Sequence, residues 1–216
     1  MYQQTDRFRA KLKKEIRKEF NYWFALSFDE LNAIKVKREL TALYDRLLAF
    51  NEKEYLKIIA EARLFVLQYL TKKEKHQLSK HEKALKEYLE FVLTGYNYTT
   101  QYLYYPEAER KRLRLAEEIL TAKEYHDHKM FNHAVKKAAD LWYTQSYQYA
   151  LDLEDAVEEE MMRDAGIDQV IWVAEHDEKT CHTCHSLDGQ IFDIDEVPNK
   201  PHYFCRCWIK PYRGDE

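Results

Sequence analysis

Four cysteines and four histidines crowd one end of this chain of 216 residues. Cys181, Cys184, Cys205 and Cys207 follow one another closely, and His176, His182, His185 and His202 share the segment. Thiols and imidazoles at such spacing suit a metal ion. The pattern C-x-x-C, followed by H-x-x-C-x-C, supplies the two half-sites of a structural zinc centre, each from one turn or knuckle. Tetrahedral zinc takes four ligands, and five candidates are present: Cys181, Cys184, His202, Cys205 and Cys207. On an extended strand Cys205 and Cys207 point to the same face and both can ligate, whereas His202 with Cys205 repeats the i, i+3 spacing of the first half. The favoured set is Cys181, Cys184 and Cys205, with His202 or Cys207 fourth. His182 and His185 are expected to be solvent-facing neighbours.

Other chemistries fit these residues less well. The start, MYQQTDRFRAKLKKE, has no apolar signal core, so the chain is not expected to be exported by itself, and a reducing compartment disfavours a pair of disulfides. A redox-active C-x-x-C belongs between a strand and a helix of a βαβ unit, and no such pattern is visible. Catalytic zinc needs an open position beside a general acid or base; Glu175, Asp177 and Asp188 are near in sequence, but cysteine-rich sites are usually closed. Asp177 reads as a cap for a segment opening at Glu178. His126, His128 and His133 read as a solvated helix surface, since a two-residue step places His126 and His128 on different faces. A Gly-rich phosphate loop, H-E-x-x-H and a nucleophile elbow are all missing from the sequence.

The elements that position this cluster divide sharply. Neither glycine nor proline occurs before Gly95, whereas Pro198, Pro201 and Pro211 all lie close to the C-terminal end. Up to residue 165 the periodicity is helical. Phe8, Leu12, Ile16, Phe20, Trp23 and Phe24 share one face of a first helix. Ser27 and Glu30 form a capping-box pattern ahead of a second, carrying Val36, Leu40, Leu43, Leu47 and Phe50. Asn51 is expected to cap a third, with Leu56, Ile59, Ala60, Arg63, Leu64, Leu67 and Leu70 on its packed face. A fourth runs through Leu78, Leu85, Leu89 and Val92, with Gly95 as its stop, and Tyr96 to Tyr105 is left open. Pro106 opens a further helix, and about Tyr125 to Ala165 is helix-compatible until Gly166 ends it. Beyond Gly166, Gln169 to Ala174, Gln190 to Phe192 and Cys205 to Lys210 read as short strands.

The expected fold is mainly α: a long helical bundle over residues 1–165, and a small α+β knob with a short sheet over residues 166–216. A knob of that size buries little apolar surface, so metal binding would supply much of its stability.

With 45% hydrophobic and 33% charged residues the chain is neither disordered nor membrane-spanning in composition. A net charge of −4 gives no global pull toward nucleic acid, although Arg7, Arg9, Lys11, Lys13, Lys14, Arg17 and Lys18 make a basic start. Asp6, Glu15 and Glu19 interrupt it, as on a solvated helix face. The 17 tyrosines lean toward assembly contacts.

The stretch Trp172, Asp177, Thr180, Cys181, Cys184, Leu187, Asp188, Gly189, Phe192, His202, Cys205, Arg206 and Cys207 resembles the C-terminal motif of the phage Mu F-like minor head proteins, or head morphogenesis proteins. Tyr203 departs from it, standing where the family has proline. The resemblance is strong from Trp172 to Cys207 and weak from Leu151 to Ala165. It implies a non-enzymatic virion protein inside the capsid or at the portal vertex, present in the host cytoplasm during assembly. The partner it implies is the portal protein, with the major capsid protein and packaged DNA as further candidates, and no membrane. Its role would be head assembly, genome packaging or DNA ejection. The competing readings are a zinc-dependent nuclease or hydrolase and a DNA-binding zinc module, the last needing one basic face joining the start to Arg206, Lys210 and Arg213.

Overall fold

A computed structural model describes residues 2–94, 106–178 and 180–214. Six α-helices occur among them: α1 (Gln3–Phe24), α2 (Ala33–Tyr69), α3 (Lys72–Thr94), α4 (Pro106–Glu124), α5 (His128–Asp164) and α6 (His182–Leu187). Three short strands, β1 (Gln169–Val173), β2 (Ile191–Asp193) and β3 (Trp208–Pro211), complete the mainly α fold. No helix among the described residues is long and apolar enough to cross a membrane. Gly95 and the stretch from Tyr96 to Tyr105 lie outside the described residues.

The chain divides into two compact units. The helical unit comprises Asp6–Tyr55 and Val92–Tyr149; the thiol unit comprises Met1–Thr5, Leu56–Phe91 and Ala150–Glu216.

In the helical unit the α1 stripe is buried from Phe8 to Trp23, but Phe24 is exposed. Adjacent helical residues point about 100° apart, so Trp23 and Phe24 cannot share one face. Aromatic rings meet edge-on in this core, Phe8 against Tyr55 at 5.4 Å, Tyr55 against Tyr149 at 5.0 Å and Tyr44 against Trp142 at 5.2 Å. Two expected helix starts are corrected. Ser27 makes no side-chain cap and opens only a 3-10 turn; α2 is capped by Asn32, whose side-chain oxygen accepts the Lys35 N–H at 2.9 Å. Asn51 caps nothing, because α2 runs unbroken through it. Its buried amide instead donates to Ser146 Oγ at 2.8 Å, a tertiary partner that removes the reason for a helix end. Near the start of α5 the helix-compatible reading from Tyr125 is shortened: His126 adopts a φ of +50°, and Asp127 caps Lys129 and Met130.

In the thiol unit the buried face of α2 is Ile58, Ile59, Ala62 and Val66, with Leu70 buried just past its end, while Leu56 and Leu64 are exposed. The expected stripe is centred one step off, since a helix this rich in leucine permits more than one face. Helix α3 opens on a reciprocal capping box: Thr71 N–H donates to Glu74 at 2.6 Å and Glu74 N–H to Thr71 Oγ1 at 3.3 Å. Gly166, at a φ of +76°, ends α5 in the left-handed conformation a helix stop requires. The antiparallel sheet has order β2-β1-β3, with Val170 opposite Phe192 and Trp172 opposite Ile209. Val170, Trp172 and Ile209 are buried, and Trp208 packs on Phe65 at 5.3 Å between ring centroids. Strand β3 begins at Trp208, so Cys205 and Cys207 precede it rather than alternating along it.

Candidate metal centre

Two turns carry the thiols. The first opens α6, where Cys181 is the N-cap residue and its sulfur accepts the Cys184 N–H at 3.4 Å. A C-x-x-C knuckle of this kind aims backbone N–H groups at sulfur, which favours thiolate. Those bonds, from Cys184 first and also from Thr183, hold the Cys181 thiol down to about 7. The second turn runs from His202 to Cys207. Cys205 N–H reaches back to the His202 carbonyl at 3.3 Å, and Phe204 takes a φ of +61°, a conformation that non-glycine residues adopt only when their surroundings hold them there. Tyr203, in the position of the missing proline, is 76% exposed.

The two turns bring the five candidate donors into two groups that share one sulfur. Donor atoms of Cys181, Cys184 and His202 lie within 4.8 Å of one another, as do those of Cys184, Cys205 and Cys207. From Cys184 Sγ the distances are 3.5 Å to Cys181 Sγ, 3.6 Å to Cys205 Sγ and 3.6 Å to His202 Nε2. Zinc–sulfur bonds of about 2.3 Å and zinc–nitrogen bonds of about 2.0–2.1 Å at tetrahedral angles give ligand-to-ligand edges of roughly 3.5–3.8 Å. The three edges that run from Cys184 fit such an ion, and among the described residues no four of the five donors lie within 4.8 Å of one another. All four cysteines are free thiols. A hollow of about 20 Å³, the size of one water or ion, is lined by Cys184, His202, Cys205 and Cys207.

His202 is oriented for ligation. Its Nδ1 lies 2.8 Å from the Tyr203 carbonyl, which fixes the proton there and leaves the Nε2 lone pair toward the sulfurs. That bond is also the main reason its pKa is raised. Burial pushes the Cys184 thiol up to about 12, and contact with Cys207 followed by burial raises Cys205, so a thiolate at either position needs a cation beside it. Cys207, 2% exposed, is lowered chiefly by its contact with Cys205.

The neighbouring histidines stand apart from both groups. His182 and His185 are exposed, and His176 pairs with Asp188 at 2.9 Å. His126, His128 and His133 are exposed, His128 lying edge-on to Phe28 at 4.2 Å. Glu175 and Asp177 line the hollow, but both are engaged: Glu175 faces the Arg206 guanidinium at 3.6 Å, and Asp177 closes a turn with Thr180 at 3.1 Å. Asp177 thus shapes the loop before α6 without capping that helix.

Sequence reasoning missed the surroundings of this centre. Tyr2 is buried at a φ of +53°, its hydroxyl 2.8 Å from Asp155, 2.9 Å from the Cys207 carbonyl and 3.1 Å from Lys200. Lys200 pairs with Asp155 at 3.2 Å and lies 5.6 Å from the Trp172 ring. Glu154 accepts from Tyr2 N–H and from the Thr5 hydroxyl. The signal was present in α5, where Glu154 and Glu158 interrupt an apolar face of Leu151, Val157 and Met161 at i, i+4 spacing. Carboxylates inside an apolar face are buried only with partners.

Residues 115–210 match the family model described as Phage Mu protein F like protein. The match begins in the second half of α4, takes in all of α5 and ends in β3, so it reaches well upstream of the motif around the thiols. No curated protein and no solved structure matches the chain.

Proposed function

We propose that this chain, a phage Mu F-like protein over residues 115–210, is a non-enzymatic component of a phage head that acts at the portal vertex. The family is one of structural head proteins, and the match to it is the observation that carries the reading. Within it, residues 166–216 form a knob held by structural zinc, and the helices of residues 1–165 offer contact surface to the portal protein. Head morphogenesis, genome packaging and DNA ejection are the steps such a position serves.

The ligand set we infer is Cys181, Cys184, His202 and Cys205, with Cys207 as the spare thiol. The His202 tautomer supports this choice, because its free nitrogen faces Cys184. Zinc there supplies a closed crosslink between two turns and no open position for water. Engagement of Glu175 and Asp177 in their own contacts supports a structural rather than hydrolytic site.

The test is co-expression with the portal protein and affinity capture through the latter, with metal analysis of the captured sample. About one zinc per chain and capture with portal are expected. Failure to co-purify with portal or capsid subunits refutes the head assignment; a metal-free protein refutes the zinc. His202→Ala is expected to abolish metal retention and Cys207→Ser to preserve it; the reverse result exchanges the fourth ligand.

A further inference from the structure

Helix α1 is shared between the two units: its residues up to Thr5 belong to the thiol unit and those from Asp6 on to the helical unit. Residues 2–5 dock into the thiol unit as a short arm, through contacts of two origins. From the helices, Glu154 accepts the Tyr2 N–H at 3.1 Å and the Thr5 hydroxyl, and Glu61 accepts the Gln4 N–H at 3.1 Å. From the second knuckle, Lys200 donates to the Tyr2 hydroxyl at 3.1 Å, the Cys207 carbonyl accepts from that hydroxyl at 2.9 Å, and the Arg206 guanidinium stands 5.7 Å from the ring centroid. Asp155 on α5 joins the two sets, 2.8 Å from the hydroxyl and 3.2 Å from Lys200. Tyr2 is buried here at a φ of +53°, which a bulky side chain adopts only where its surroundings hold it.

We propose that residues 2–5 form a metal-controlled latch, seated while an ion holds the second knuckle and released when the ion leaves. The latch rests on the metal reading of the thiols. Between Lys200 and Cys207 the chain forms neither helix nor strand, and two of the inferred ligands, His202 and Cys205, lie inside that segment. A bound ion therefore supplies much of what fixes it. Loss of the ion loosens Lys200, Arg206 and Cys207 together, and Tyr2 is left with its helix contacts alone against the strain in its backbone. Linkage requires the converse: a seated arm strengthens metal binding by the same factor by which metal favours the seat. The competing arrangement is a static anchor, in which Glu61, Glu154 and Asp155 keep the arm in place whether or not metal is bound.

The test places fluorotyrosine at position 2 of the full chain and follows its fluorine resonance, with zinc content measured in the same sample. With zinc bound, the resonance should differ from that of the urea-unfolded chain. On chelation, at a temperature where circular dichroism shows the helices intact, it should move to the unfolded position and return when zinc is restored. A resonance that stays in place in the metal-free, folded chain, or that moves only as the helices melt, overturns the latch and leaves the metal reading standing. A chain that never holds zinc overturns both. In competition with a chelator, Tyr2→Ala should weaken zinc affinity about fivefold or more. Val66→Ala, which opens a cavity in α2 of the same unit, should leave it unchanged. Equal affinity in Tyr2→Ala and the parent, or an equal loss in both variants, also overturns the latch, the latter because general destabilisation would then account for the effect.

Discussion

Buried charge is handled differently in the two units. In the helical unit the buried carboxylates have cations: Glu19 meets Arg46 at 2.7 Å, and Glu54 meets Lys11 at 2.7 Å. The rest of that core is aromatic and aliphatic packing, sufficient for a stable helical body. In the thiol unit, buried Glu154 and Glu158 and half-buried Asp155 cluster along α5, Lys200 pairs with Asp155, and among the described residues Glu158 Oε1 is buried without a hydrogen-bond partner. Burial is the main cause of the raised pKa of all three carboxyls. Four thiols in a small sheet-bearing segment add groups that gain little from one another until a metal joins them. One unit is held chiefly by apolar area; the other adds to its apolar core a polar network and a set of thiol and imidazole donors that could hold a metal.

Metal removal should widen that difference most. Chelation, or Cys184→Ala, is expected to lower the melting temperature of the thiol unit by about 10 °C or more, with hydrogen exchange rising over residues 166–214. Exchange in α1 should be unchanged; uniform loss of protection, or none, would erase the contrast. Leu43→Ala in the helical unit should cost about 2–5 kcal/mol, by leaving a cavity in an apolar core, and cost the same with and without chelator. Tyr2→Phe should cost about 1–3 kcal/mol, because it strips the half-buried Asp155 carboxylate and the buried Cys207 carbonyl of a donor. It should also speed zinc loss to chelator; an unaltered rate would mean that Tyr2 does not brace the second knuckle.

The smallest expected effect is on pH dependence. Burial raises Glu154 to about 7 from an ordinary 4.5, so the folded state holds a proton that the unfolded state has released. That contribution is complete below about 4.5 and is lost as pH rises through 7, a decline of roughly 1–3 kcal/mol. Glu154→Gln should flatten this slope in urea titrations at pH 5 and pH 8. Glu74 has the opposite sign. Its bond with Arg213 holds it down to about 2, so its contribution is present above 4.5 and disappears as pH falls toward 2. Arg213→Ala should remove that acid-side loss; a variant as acid-sensitive as the parent would exclude the pair.

Much of this was legible in the residues. Helical periodicity placed α1 and α4, β-branched and aromatic residues placed β1, and Gly166 marked the end of α5, because each is decided by local backbone preference and by one apolar face. Cysteine spacing marked the two knuckles for the same local reason, that each is a short turn, while their meeting at Cys184 is a tertiary contact. Tertiary structure decided the rest. Asn51 reads as a cap in isolation and becomes a mid-helix donor only because Ser146 stands opposite. Leu56 and Leu64 look like core and are exposed, since which side of a leucine-rich helix is covered depends on its neighbours. Tyr2, Asp155 and Lys200 are far apart in sequence, and no spacing rule joins them. Their contact with the second knuckle exists only once the chain has folded, because burying a carboxylate is tolerable only where a distant donor and a distant cation arrive at the same place.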